Sequence, residues 1–138
     1  MREIKFRARR TDKDEFAFGD LLTGMGYKKG KFFILPHLSY YPSDCKSVDG
    51  YEVIPETIGQ FTGLYDKNGK EIYEGDILAF NDSYVDFNDV IEVRFVRGIF
   101  AFLWNGNLED ECPINAPTRE WANVIGNIYD NPELIKTK

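Results

Sequence analysis

The stretch that decides the fold of this chain is QFTGLYDKNGKEIYEGDI, which runs from Gln60 to Ile77. Aromatic and β-branched residues lie on both sides of a short polar segment, and such residues favour strands because they pack well on a pleated surface. A second glycine-containing segment then precedes the apolar residues 77–80. The pattern predicts a strand, a tight turn, a strand, a second turn and a third strand.

Asn68-Gly69 marks the first of these turns. A two-residue hairpin loop needs positive φ at both central positions, which Gly adopts freely and Asn adopts more readily than most residues. Asp66 precedes the pair, and an Asp side chain at that place can accept hydrogen bonds from the backbone N–H groups that follow it. We therefore predict a two-residue hairpin centred on Asn68-Gly69.

Gly75-Asp76 marks the second turn. A glycine before an apolar run is typical of a bulge or tight turn that redirects the chain into the next strand. Small SH3-like barrels often enter a strand through such a step, so an SH3-like element is expected over about residues 58–104. This expectation concerns the fold alone, because a fold does not assign a function.

Three segments together resemble one known family. They are the central block, the opening MREIKFRA (residues 1–8) and the ending VIGNIYDNPEL (residues 124–134). All three are similar to the YopX-like family, small proteins of phages and prophages of Gram-positive bacteria. The opening departs from the family at Arg9, where a Trp usually follows the Ala. The signature positions expected to have structural roles are Gly63, Asn68, Gly69, Gly75, Asp76, Gly126 and Asn127.

The resemblance implies an all-β fold, a bent and bifurcated sheet that forms a pseudo-barrel with little helix. It implies no activity and brings no assigned catalytic or binding residues. The length of 138 residues suits one domain. We therefore predict a single domain with N-terminal strands in 1–55, the SH3-like element in about 58–104, and a closing strand and tail in 105–138.

The remaining elements are predicted from periodicity and breakers. Ile4, Phe6 and Ala8 alternate with charged residues, which predicts a half-buried strand with a charged outer face. A short helix is predicted at residues 118–123, with Thr118 as a candidate N-cap. Further strands are predicted at 16–22 (weaker), 32–35, 51–54, 90–96, 99–104 and 124–129, turns at 23–26 and 105–107, an exposed basic tip at 28–31, loops at 36–50 and 81–88, and a terminal turn or helical stub at 131–135.

Composition limits the compartment and the chemistry. The N-terminus has no apolar stretch behind its charged residues, so no signal peptide is expected and the protein is predicted to be cytoplasmic in a bacterial host. In that compartment Cys45 and Cys112 are expected to be free thiols. His37 is the only histidine, so a structural zinc site is not expected and no cofactor or metal is predicted.

Charge is unevenly distributed along the chain. Residues 1–31 contain nine Lys or Arg against five Asp or Glu, whereas residues 71–92 contain seven acids and no base. A basic surface with interleaved aromatic residues is typical of nucleic-acid binding. The candidate basic patch consists of Arg7, Arg9, Arg10, Lys13, Lys28, Lys29 and Lys31.

The acids offer a different alternative, since paired carboxylates can share a proton or bind a metal. Glu71, Glu74, Asp76, Asp82, Asp86 and Asp89 are the candidates for a small metal-dependent hydrolase. Their spacing does not follow a calcium loop, and we find no phosphate-binding loop or nucleophile elbow. Asp76 is expected instead to accept backbone hydrogen bonds at its turn.

The sequence therefore favours a non-enzymatic function. We predict a phage or prophage accessory protein that binds a phage or host protein, or another copy of itself as a homo-oligomer, without a membrane. Nucleic-acid binding through the basic patch is the first alternative, and metal-dependent hydrolysis by the Glu71–Asp89 acids is the second.

Overall fold

The computed structural model describes residues 3–24, 29–37, 50–80, 90–112 and 117–135. The chain divides into two compact units, Met1–Phe61 and Thr62–Lys138. The loops predicted at 36–50 and 81–88 lie largely outside the described residues, as do half of the turn at 23–26 and the first residue of the basic tip. The organisation as one domain stays a prediction.

The described residues are mostly β, which confirms the predicted fold class. They form two antiparallel sheets, with strand orders β4-β3-β2-β1-β5-β6 and β10-β9-β8-β7-β11. The pseudo-barrel and the SH3-like element stay predictions. The strands are β1 (Phe6–Arg9), β2 (Phe16–Thr23), β3 (Phe32–Pro36), β4 (Tyr51–Val53), β5 (Gly59–Tyr65), β6 (Glu71–Tyr73), β7 (Asp76–Phe80), β8 (Ile91–Val96), β9 (Ile99–Trp104), β10 (Glu111–Cys112) and β11 (Ala122–Asn127).

The first unit is built on β1 to β4. β2 lies between β1 and β3, and its residue Gly19 is the partner of Phe6 on one side and of Pro36 on the other. An additional bridge joins Arg10, directly after β1, to Val53 in β4. Two alanines that are cross-strand partners, Ala8 in β1 and Ala17 in β2, belong to the core of this unit. The buried members are Ala8, Ala17, Ile34 and Val53.

The second unit contains β6 to β11, the rest of β5 and the helix α1 (Thr118–Trp121). Its buried core contains more large apolar side chains than that of the first unit. Trp104 and Trp121 pack against it, and the Trp121 ring meets Phe102 edge to face with 5.7 Å between centroids. The buried residues are Ile72, Leu78, Ile91, Val93, Phe102 and Ala122.

The hairpin between β5 and β6 differs from its predicted form. Gly69 has a φ of +80°, but Asn68 does not have a positive φ. The N–H of Gly69 donates to the Asp66 carbonyl, and the N–H of Asp66 donates to the Lys70 carbonyl. This is a three-residue loop with a type I turn and a glycine bulge, so the predicted two-residue hairpin is wrong. The bulge needs a left-handed residue at one position only.

Two-residue positive-φ pairs occur instead at two other turns. Arg97 and Gly98, with φ of +49° and +82°, connect β8 to β9, and Val96 pairs with Ile99 on either side of them. Asn105 and Gly106 follow β9 with φ of +52° and +75°, which confirms the predicted turn there. The Arg97 position was not predicted, because Arg is not a residue that marks such turns.

The predicted short helix is confirmed, but its cap is not. α1 begins after Pro117, and Thr118 lies inside the helix with its side chain buried. The Thr118 hydroxyl donates to the Tyr65 carbonyl at 2.7 Å instead of capping the helix. The expected terminal stub is a 3-10 turn at Pro132–Leu134. No helix among the described residues is long and apolar enough to cross a membrane.

Candidate functional site

A groove of about 570 Å³ opens on the first unit. β2 supplies Phe16 and Phe18 to its wall, and β3 ends beside it with His37 following. Phe18 is 47% exposed, so the groove offers an apolar ring that a ligand could cover. A cleft of this volume is in the range of ligand-binding sites. Lys5, Arg10 and Tyr51 also line it.

Arg10 forms part of the floor of the groove. Its guanidinium lies over the Tyr51 ring, with 4.0 Å from Cζ to the ring centroid. Two of its nitrogens donate to the two carboxylate oxygens of Asp12, each at 2.8 Å. The bidentate pair fixes the guanidinium on the ring, and the side chain is only 4% exposed. The hydrogen bond from Arg10 lowers the pKa of the Asp12 carboxyl below its usual value.

The guanidinium groups of Arg7 and Arg9 also lie over an aromatic ring, that of Phe16. Their Cζ atoms lie 4.5 Å and 4.3 Å from the centroid of Phe16. Arg9 also forms an ion pair with Asp14 at 3.1 Å. The predicted charged outer face of β1 is therefore wrong at these two positions, since both arginines are buried. Their charge is held by aromatic contact and by ion pairing, and their stems add to the packing.

The most exposed charged side chains at the groove are four acids, and each is paired with a neighbouring cation. Glu3 and Glu15 line the groove and lie 3.2 Å from Lys5 and 3.6 Å from Arg10. Asp12 pairs with Arg10, and Asp20 with His37, with 2.7 Å from His37 Nε2 to Asp20 Oδ1. More than half of each of these four side chains is exposed, whereas the cations Lys5 and Arg10 beside them are mostly buried. We call Glu3, Asp12, Glu15 and Asp20 the acidic rim.

The predicted basic patch is thus not brought together as one exposed surface. Lys13, Lys29 and Lys31 are exposed, and Lys31 lies 3.7 Å from a Glu52 carboxylate oxygen. Lys28 lies outside the described residues. The basic total of residues 1–31 therefore describes the composition of the segment and not its surface.

The candidate hydrolase acids are only partly described. The Asp76 carboxylate is buried and accepts from the Tyr73 N–H at 2.8 Å, which confirms its predicted bond to the turn backbone. Glu71 accepts from the Tyr73 hydroxyl at 3.2 Å. Asp82, Asp86 and Asp89 lie outside the described residues. Within the described part of the chain, no three His, Cys, Asp or Glu side chains are placed to hold a metal ion.

Asp66 holds the centre of the signature block. One carboxylate oxygen accepts from the N–H groups of Asn68 and Lys70, both at 2.8 Å, and the other accepts from the Val124 N–H at 3.1 Å. Burial raises the pKa of Asp66, but these backbone hydrogen bonds outweigh it and leave the pKa below its usual value of 3.8. The predicted local bonds are confirmed, and the bond to β11 was not predicted.

The other signature positions are structural in the same sense. Gly75 has a φ of +94°, and the Tyr129 ring lies against the space where a side chain would start. Gly126 lies at a bulge between β11 and β7, close to the Asn131 side chain. Asn127 accepts from the N–H groups of Tyr129 and Asp130 and donates to the Asp130 carboxylate, which holds the final turn. Gly63, by contrast, faces open space.

The β8–β9 hairpin carries an apolar surface that the sequence reading missed. Phe95 and Ile99 are 50% and 52% exposed, and the Phe95 ring meets that of its cross-strand partner Phe100 at 5.2 Å between centroids. Val93 and Phe95 share a face, yet only Val93 is buried. The register pairs β7 with Ile91 and Glu92, so the end of the hairpin extends past this pairing. Strand periodicity cannot detect such an overhang.

These features define a class of protein: a mostly β chain of two antiparallel sheets with an aromatic, acid-rimmed groove. The chain belongs to the YopX family, whose model, described as YopX protein, matches residues 5–136. It is also similar to the crystal structure of protein EF1440 from Enterococcus faecalis, with 26% identity and a TM-score of 0.61 over 99% of this chain and 100% of that one. A search of curated proteins gave no significant match.

Proposed function

We propose that this protein is a non-catalytic accessory protein of a phage or prophage, and that it acts by binding a protein through the groove of its first unit. The observation that carries the proposal is the exposed ring of Phe18 in a groove bordered by the acidic rim. Aromatic residues are enriched at protein interfaces, where an apolar ring is buried against a partner. The phage or prophage setting rests on the family resemblance.

The surface chemistry favours a cationic partner. A carboxylate rim attracts basic segments and repels polyanions, and it gives orientation and association rate more than affinity. The groove also shows which side chain suits its rings, because three of the chain's own guanidinium groups stack on Phe16 and Tyr51. A protein segment with an arginine next to an apolar side chain fits both features.

This surface gives an expected result for nucleic acid. Binding of the intact protein to labelled duplex DNA or single-stranded RNA should be negligible even at low ionic strength, where counterion release favours association most. Three of the cations in the basic patch are buried, and the exposed acids nearby repel phosphate. Fluorescence anisotropy checks this. Tight, salt-sensitive binding that is lost in a Lys29→Ala/Lys31→Ala variant would instead support the basic patch.

Affinity capture tests the protein-binding proposal. Tagged protein recovered from phage-induced host cells should retain a specific protein partner after nuclease treatment. Phe18→Ala should reduce recovery of that partner by about tenfold or more, as expected for truncation of a central aromatic contact. Leu108→Ala, which removes an equally exposed apolar side chain in the second unit, should leave it unchanged.

The two variants make the result decisive. Phe18 is half exposed, so its truncation should leave the circular dichroism spectrum and thermal midpoint close to those of the parent protein. A partner retained equally by the parent and by Phe18→Ala would exclude the groove as the binding site. If the partner is no longer recovered after nuclease treatment, the protein binds nucleic acid and the protein-binding proposal is wrong.

A further inference from the structure

We infer that the groove accepts the end of the β8–β9 hairpin of a second copy of this chain. We call the residues of this hairpin end, 95–100, the hairpin tip. The inference rests on the proposed function, because it names the partner of the same groove.

The hairpin tip is shaped to enter a groove. It is a two-strand ribbon closed by the narrow Arg97-Gly98 turn, and it extends past the residues that pair with β7. Phe95 and Ile99 expose about half of their surfaces, and Phe100 holds the Phe95 ring edge to face. Exposed apolar groups at the end of a hairpin are accessible for burial against another surface.

The charges of the two surfaces are complementary. Arg97 is exposed at the turn of the hairpin tip, and Arg94 lies two residues before Val96 with its guanidinium on the buried Glu92. Because Glu92 pairs with Arg94, the charge of the hairpin tip comes from Arg97. The groove presents the acidic rim and an exposed Phe18. The hairpin tip therefore has the arginine and the neighbouring apolar side chains that the proposed function expects in a partner of the groove.

Charge also favours a contact between unlike surfaces over a two-fold contact between like surfaces. Two hairpin tips related by a two-fold axis would bring their own arginines together, and two grooves would bring acidic rims together. The contact between a hairpin tip and a groove is heterologous, so two copies joined by it keep one unused groove and one unused hairpin tip between them. Association should therefore continue beyond the dimer as concentration rises, unless the rotation between copies closes a ring.

Sedimentation velocity of the intact protein, combined with a mixing experiment, tests this. The parent protein should show a mass that rises with concentration, and added salt should weaken the association. Phe18→Ser, which damages the groove, and Phe95→Ser, which damages the hairpin tip, should each weaken self-association by about tenfold or more. An equimolar mixture of the two variants should form a heterodimer and stop there, since it has one intact groove–hairpin pair.

The mixture distinguishes the geometries. A two-fold contact between like surfaces predicts that one of the two variants still self-associates on its own, and that result would overturn the inference. A parent protein that self-associates while the mixed variants stay monomeric would overturn it as well. A parent protein that is monomeric at every concentration would also overturn it. Arg97→Glu, which changes the charge of an exposed turn, provides a second hairpin variant if Phe95→Ser fails to fold, and it should weaken association in the same assay.

The same experiments test the proposed function separately from the inference about a second copy. Loss of a captured host or phage protein in Phe18→Ala, with a monomeric parent protein, would keep the groove as a protein-binding site and reject the second copy as its occupant. Self-association that depends on Phe18, with no other partner recovered, would make the second copy the sole occupant.

Discussion

Replacing Asp66 by alanine is expected to lower the free energy of unfolding of the second unit by about 3 kcal/mol. The substitution removes an acceptor from three backbone N–H groups at once, and a buried donor left without its charged partner is costly. Both tryptophans, Trp104 and Trp121, pack against the core of this unit. Their fluorescence during urea unfolding therefore reports the effect directly.

Two further variants isolate the role of the carboxylate. Glu133→Ala removes an exposed carboxylate from the same unit and should change stability by no more than about 0.5 kcal/mol. Asp66→Asn keeps an oxygen that can accept from Asn68 and Lys70 but does not titrate, so it should cost less than alanine. Equal losses for the alanine variants at positions 66 and 133 would show that the three hydrogen bonds contribute little.

The depressed pKa of Asp66 fixes the direction of the pH dependence. A carboxyl whose pKa is lower in the folded state stabilises the fold above its unfolded pKa, and that stabilisation is lost as pH falls through the folded value. The parent protein should therefore lose stability below about pH 4. Asp66→Asn should show a shallower loss over the same range.

Replacing Gly19 by alanine is expected to destabilise the first unit by about 4 kcal/mol or more. Gly19 lies in β2 between Phe6 and Pro36, and a Cβ there would overlap the Leu35 carbonyl oxygen and lie 2.8 Å from its carbon. Both atoms belong to the backbone of β3, so the strand itself would have to shift. Hydrogen exchange of peptides from residues 3–37, followed by mass spectrometry, should show a loss of protection.

Gly63→Ala is the matched control for this prediction. Gly63 has a φ of +85° but nothing within 4 Å of the position of a new Cβ. It should therefore cost only the left-handed backbone term, about 1 to 2 kcal/mol. If the two alanine variants had the same effect, backbone conformation and not the clash with β3 would explain the loss at Gly19.

Much of the fold could be predicted because its signals are local. The strands flanking the central block, the turn after β9, the short helix and the terminal stub all depend on residues near in sequence. The hairpin at Asn68 shows the limit. The same Asn-Gly pair fits a two-residue loop or a glycine bulge, and Asp66 decides between them by accepting from Lys70 as well as Asn68.

The candidate site was less predictable because burial depends on contacts between distant residues. Alternation placed Arg7 and Arg9 on an outer face, but Phe16 in the neighbouring strand covers them. A count of charges cannot show that the guanidinium groups are buried while Asp12 and Glu15 stay exposed. The exposed Phe95 was missed for the same reason, since its burial depends on where the β7 pairing ends.

The carboxylate of Asp66 accepts hydrogen bonds from residues near it in sequence and from a residue far from it. Its bonds to Asn68 and Lys70 close a loop of a few residues, which costs little chain entropy and can form early. Its bond to Val124 joins residues 58 positions apart and requires β11 to be in place. A hairpin that is ordered before β11 would already present the acceptor for the Val124 N–H. One carboxylate thus joins a local turn of the first sheet to a strand of the second.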